Sequence, residues 1–124
     1  MQKNIIMKKL TVKEEEIMHF FWTKGALFVR ELLDMYPDPK PHFNTLSTMV
    51  RTLESKGYIA HKVYGNTYQY YAVIDEDEFK NATLKNVISK YFANSYTQVV
   101  SALVKEEKLS IEELKQLISQ IEKK

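Results

Sequence analysis

Asn44, Thr45, Ser47, Thr48 and Arg51 stand within one short stretch, and each side chain matches a group that duplex DNA displays. An Asn amide can pair bidentately with adenine. Ser and Thr hydroxyls bond bases or phosphates, a Thr methyl packs on a thymine methyl, and the Arg fork suits guanine or phosphate. Their spacing is helical. Leu46, Met49, Val50 and Leu53 form an apolar stripe. At about 100° per residue, Asn44, Ser47, Thr48 and Arg51 fall on the opposite side of the same helix. A merely solvated face would more often be rich in Glu and Lys. A second group, Lys62, Asn66 and Thr67, surrounds a Gly65-Asn66 pair and offers donors suited to phosphate.

The flanking pattern supplies the elements that would position these groups. A capping box, Thr11-Val12-Lys13-Glu14, opens a first helix with Ile17, Phe20 and Phe21 on one side, and Lys24-Gly25 closes it with a cation and a left-handed cap. A second helix covers about Val29 to Met35 and ends at a proline cluster, Pro37, Pro39 and Pro41. The third begins near His42 or Phe43 and ends at Lys56-Gly57. Two runs rich in β-branched and aromatic residues follow, separated by the two-residue Gly65-Asn66 turn, which reads as a hairpin. Trp22, Phe20, Phe21 and Phe28 are expected in the core, and the tyrosines of the hairpin are expected to pack rather than stack on bases. Three helices followed by a β-wing is the winged variant of the helix-turn-helix, whose third helix enters the major groove.

Composition narrows the alternatives. The chain has 124 residues, 44% hydrophobic and 12% aromatic, with no cysteine. Disorder is disfavoured by the aromatic content. Disulfides, Cys-ligated metals and a thiol nucleophile are excluded. His19, His42 and His61 lack ligand spacing, and Glu14-Glu15-Glu16 reads as a solvated or capping run, so no metal, cofactor or catalytic site is expected. Apolar runs are too short to span a membrane and the N-terminus does not resemble a secretory leader, so a cytoplasmic protein is expected. The net charge of +2 divides unevenly. Residues 40–74 hold Lys40, Arg51, Lys56 and Lys62 against Glu54 alone, which points to a polyanion.

Residues 75–124 read as helices only. An acidic turn, residues 75–78, opens a helix carrying Leu84, Val87, Ile88, Tyr91 and Phe92. A second carries Val99, Val100, Leu103 and Val104. A third, opened by the capping box Ser110-Ile111-Glu112-Glu113, carries Leu114, Leu117, Ile118 and Ile121. These short helices lack a compact core of their own, so a second copy is the simplest cover for their apolar faces. The expected fold is therefore mostly α with a small antiparallel hairpin. A winged helix over 1–74 would read DNA, and a helical domain over 75–124 would dimerise through Val87, Ile88, Tyr91, Val99, Val100, Leu103, Leu114, Leu117, Ile118 and Ile121. The other reading is a winged-helix protein-interaction module without intrinsic DNA binding.

The sequence resembles the BlaI/MecI family of transcriptional repressors. The resemblance runs from Leu10 to the C-terminus on three signposts. The first is Leu10-Thr11-x-x-Glu14-x-x-Ile17-Met18 with Trp22. The second is Asn44-Thr45-Leu46-x-Thr48-x-Val50-x-x-Leu53-x-x-Lys56-Gly57-Tyr58-Ile59-x-His61, and the third is Glu106-Glu107-x-Leu109-Ser110-x-Glu112-Glu113-x-x-x-Leu117. It implies a homodimer that binds a palindromic operator and represses by occluding a promoter. It also implies control by a membrane sensor-protease that triggers cleavage in the penultimate helix, where the family's Asn-Phe bond is matched here by Ala102-Leu103. Asn44 and Ser47 replace basic residues typical of the family, which implies a different operator. The C-terminal cysteines of the copper-responsive branch are absent.

Overall fold

The computed structural model describes residues 8–106 and 110–122. Among them the order is α1 (Val12–Lys24), β1 (Leu27–Phe28), α2 (Val29–Asp34), α3 (Phe43–Ser55), β2 (Ile59–Tyr64), β3 (Thr67–Ala72), α4 (Glu76–Phe92), α5 (Tyr96–Lys105) and α6 (Ile111–Glu122). The chain divides into two compact units, Met1–Lys80 and Asn81–Lys124.

Local chemistry sets the element ends. Thr11 Oγ1 accepts from the Glu14 amide at 3.1 Å, and Glu14 Oε1 accepts from the Thr11 amide at 2.9 Å, which completes the capping box of α1. Asp75 with Glu78, and Ser110 with Glu113, do the same for α4 and α6. At the end of α3, Tyr58 N–H donates to Leu53 O and Gly57 N–H to Glu54 O. This is the Schellman pair of bonds, and Gly57 supplies the positive φ of 86° that it requires.

Gly25 behaves differently from the expected left-handed cap. Its φ is 86° but its ψ is −152°, outside the left-handed helical region. The chain therefore leaves α1 extended and enters β1, which sequence reasoning did not anticipate. A two-residue strand is too short to leave a periodic signal in the sequence. β1 pairs antiparallel with β3, placing Leu27 opposite Tyr70 and Phe28 opposite Gln69. The wing is thus a three-stranded sheet in the order β1-β3-β2. In the hairpin, Tyr64 lies opposite Thr67 across a two-residue loop. Gly65 has φ 61°, while Asn66 is not among the positive-φ residues, which is the type II′ pattern.

The core of the first unit collects one face of each element: Ile17, Met18 and Phe21 of α1, Leu32 of α2, Leu46, Val50 and Leu53 of α3, and Ile59 and Tyr70 of the sheet. Trp22 packs against this core and donates its indole N–H to Ile74 O at 2.9 Å. The Phe79 ring lies 5.3 Å from Trp22 and 6.1 Å from Tyr58. The opening turn of α4 thereby joins the first unit. Phe20 packs on the core as expected, beside Tyr36. Phe28 does not join it. The alternation of β1 turns it from the core, where Leu27 points, and it meets the Tyr64 ring edge-on at 5.8 Å.

In the second unit α4 ends through Ala93 and Asn94, both at positive φ, and Ser95 caps α5 by accepting from the Gln98 amide at 3.2 Å. No helix among the described residues is long and apolar enough to cross a membrane.

Candidate nucleic-acid interface

The polar face of α3 is an ordered network on the protein surface. Thr48 Oγ1 donates to Asn44 O at 2.9 Å, and Thr52 Oγ1 donates to Thr48 O at 3.0 Å. The Arg51 guanidinium donates to Ser47 Oγ at 2.9 Å and to Thr48 Oγ1 at 3.2 Å. Arg51 is therefore held by the two hydroxyls one helical turn behind it. A guanidinium carries five N–H donors, so three remain for an outside acceptor. Asn44, Thr45 and Thr48 are exposed and Ser47 is half-buried.

Beside this face lies an open groove of about 310 Å³. Ser47 and Arg51 of α3 form one wall, and the wing contributes Asn66, Thr67 and Tyr68. Four of the residues singled out from sequence thus share one groove: Ser47, Arg51, Asn66 and Thr67. Asn44, Thr45 and Thr48 lie on the exposed surface of α3 rather than in the groove. Lys62 stands apart. It is opposite Gln69 in the ladder, with its ammonium 5.9 Å from the Tyr71 centroid, on the other side of the sheet from Tyr68 and Tyr70.

The charge excess of residues 40–74 is partly spent on structure. Lys40 donates to the carbonyls of Leu33, Asp34 and Tyr36 at the end of α2. Lys56 pairs with Glu14 at 2.7 Å. That leaves Arg51 and Lys62 from the original four, and the structure adds Arg30 of α2, which lines the groove. Sequence reasoning did not single out Arg30, because it lies outside the basic stretch and beside Glu31 and Asp34. One signal was available: Arg30 and Arg51 are the only arginines in the chain.

His61 and the wing tyrosines brace the sheet on α3. His61 Nδ1 lies 2.5 Å from Glu54 Oε2, and its ring stacks on Tyr68 at 4.1 Å. Tyr70 is buried, and its hydroxyl is pushed above the ordinary tyrosine range by burial and by the nearby Glu54 carboxylate. Tyr64 and Tyr68 remain about half exposed. No group of three His, Cys, Asp or Glu among the described residues is arranged to hold a metal.

In the second unit, the proposed contact residues divide. Val87, Tyr91 and Leu103 are exposed, Tyr91 by 68%. Val99 and Val100 are half-buried, while Ile88 is already buried within one chain. The side chains of Leu114, Leu117, Ile118 and Ile121 lie outside the described residues. The Ala102-Leu103 bond lies inside α5.

The penicillinase repressor family model matches residues 10–123. The chain is 30% identical over 119 residues to the methicillin resistance regulatory protein MecI of Staphylococcus aureus, covering 94% of this chain and 95% of that protein. The same figures hold for MecI of Mammaliicoccus sciuri. An uncharacterized 16.5 kDa protein from the ptsI 3′ region of Latilactobacillus sakei is 25% identical over 111 residues, 88% of this chain and 75% of that one. The ordered motifs of α1, α3 and the tail thus sit within one continuous match, and the chain belongs to the penicillinase repressor family of transcriptional regulators.

Proposed function

We propose that this protein represses transcription by binding operator DNA as a homodimer, and that it acts as a regulator rather than an enzyme. The observation that carries the reading is the Arg51 guanidinium held by Ser47 and Thr48 on the exposed face of α3, beside a groove walled by the wing tip. An arginine fixed in this way loses less rotamer freedom on binding than a free one, and it retains donors for guanine or phosphate. α3 enters the major groove. Asn44, Thr45, Ser47 and Thr48 meet base edges, and Asn66 and Thr67 meet flanking phosphates.

The winged helix of 1–74 is the DNA-reading part and 75–124 the dimerising part. Val87, Tyr91 and Leu103 carry apolar surface that a second copy covers, together with the other apolar positions of the three C-terminal helices. A two-fold dimer presents two α3 helices to a palindrome. The protein works in the cytoplasm and needs no cofactor. Release by a membrane sensor-protease would cut at or near Ala102-Leu103, and α5 must unwind before a protease can hold that bond extended.

Selection of bound fragments from genomic DNA with the full-length protein tests this reading. The expected result is a palindromic motif bound in a salt-dependent manner. Absence of binding to any duplex at low salt would favour the protein-interaction reading instead.

A further inference from the structure

We infer that Arg30 is a DNA-phosphate contact contributed by α2, and that the Phe43 ring positions it. The inference rests on the DNA-binding reading above and extends it to an element other than α3 and the wing. Three observations carry it. Arg30 is exposed and lines the same groove as Arg51, Asn66 and Thr67. Its guanidinium carbon lies 5.2 Å from the centroid of the Phe43 ring. That ring, the first side chain of α3, is itself 40% exposed.

The fold explains how α2 brings an arginine here. Gly25 leaves α1 extended, β1 pairs with β3, and α2 starts at Val29 directly after β1. Arg30 is thus carried on a segment anchored to the wing sheet. Phe43 opens α3 and lines the same groove. Stacking on an aromatic face orients a guanidinium without consuming its N–H donors. Among the described residues Arg30 has no carboxylate partner and no hydrogen bond, whereas Lys40 and Lys56 are both engaged by the protein.

Residue type supports the same conclusion. The chain holds sixteen lysines and two arginines among its 18 basic residues, and both arginines line this groove. Arginine offers a planar fork that matches phosphate oxygens in pairs, which an ammonium does not. Arg30 and Arg51 therefore form a two-sided grip. The groove between them takes a phosphodiester of the DNA backbone.

The test is fluorescence anisotropy of the full-length protein on a selected operator and on random duplex, across a salt series. Wild type is compared with Arg30→Met, Arg30→Lys, Phe43→Leu and the double variant. Arg30→Met should weaken both duplexes alike and lower the salt slope by about 0.9, which at 0.1 M salt is about eightfold in affinity. Arg30→Lys should restore the slope but not the full affinity. Phe43→Leu should weaken binding in the wild-type background and have no further effect in Arg30→Met, because the ring acts through the arginine. An unchanged slope for Arg30→Met beside a normal wild type would overturn the inference and leave the DNA-binding reading standing. Additive effects of Arg30→Met and Phe43→Leu would overturn the positioning role of Phe43. A wild type that binds no duplex would overturn both readings.

Discussion

Lys56 Nζ stands 2.7 Å from Glu14 Oε1, so the C-terminal end of α3 is tied to the first turn of α1. The same ammonium donates to Lys9 O at 3.0 Å, and the next turn sends the Tyr58 hydroxyl to Lys8 O at 2.6 Å. Glu14 is the one buried charged residue of the described core, at 5% exposure. Its carboxylate serves the α1 cap and the ion pair with one oxygen. The orientation of α3 against α1 therefore depends on a paired charge as well as on apolar packing.

Lys56→Met should destabilise the protein by about 3 kcal/mol, because it leaves a buried carboxylate with only its cap partner. Glu14→Gln should cost less, since Lys56 lies nearer the surface and keeps its bond to Lys9 O. Denaturant unfolding at neutral pH orders the two. Equal losses would show that the pair is not asymmetric in this way.

Acid stability follows from the same pair. Burial alone would raise the Glu14 carboxyl, but the Lys56 hydrogen bond, the Thr11 cap and the Lys56 charge together hold it below its ordinary value. A depressed folded-state value adds stability that is fully present above about pH 4.3, the unfolded value, and is lost as pH falls through the lower folded one. In Lys56→Met the burial effect remains while the lysine's two contributions vanish. Its acid unfolding midpoint should lie at higher pH than that of wild type, as followed by circular dichroism. A midpoint that does not move would argue against Glu14 as an acid-sensitive group.

Thr48→Ala should lose about 1–3 kcal/mol at one operator position and leave random-duplex affinity close to wild type. Thr48 also braces Arg51, but Ser47 holds the same guanidinium, so the grip of Arg51 on phosphate should persist. Competition binding against a panel of single-base operator variants reads both effects. A Thr48→Ala protein that binds specific and random DNA as wild type does would refute the role given to α3.

Gly65→Ala should cost about 1–2 kcal/mol, since a Cβ at φ 61° is disfavoured although nothing within 4 Å would obstruct it. Gly65→Asn should cost less, because asparagine tolerates positive φ. Thermal unfolding separates them, and equal losses would show that contacts at the turn, not φ, set the requirement.

Tyr91→Glu and Leu103→Glu should dissociate the proposed dimer while leaving the winged helix folded. Both side chains are exposed in the single chain, at 68% and 42%. Sedimentation should move from twice the chain mass towards 14.6 kDa in each variant. A wild-type mass of 14.6 kDa at micromolar concentration would rule out the dimer.

Sequence alone determined the helices, the caps at Thr11, Gly57 and Ser110 and the two-residue hairpin turn, because these depend on neighbours within a few positions; the Gly25 end of α1, which leads into a long-range strand pairing, was not among them. Thr11 with Glu14, Gly57 after Lys56, and Gly65-Asn66 each satisfy nearby backbone groups or supply a required φ. The periodic apolar residues of α3 likewise placed Arg51 and Thr48 on its open face. Only the tertiary structure decided which cations are free. Lys40 and Lys56 count as positive charge in the sequence, yet carbonyls of α2 and the distant Glu14 engage them. Arg30 looks neutralised beside Glu31 and Asp34, yet β1 carries it to the groove and Phe43 orients it. Long-range pairing decides these outcomes, and no local spacing encodes it: β1 is two residues long, and Lys56 meets Glu14 across 42 positions.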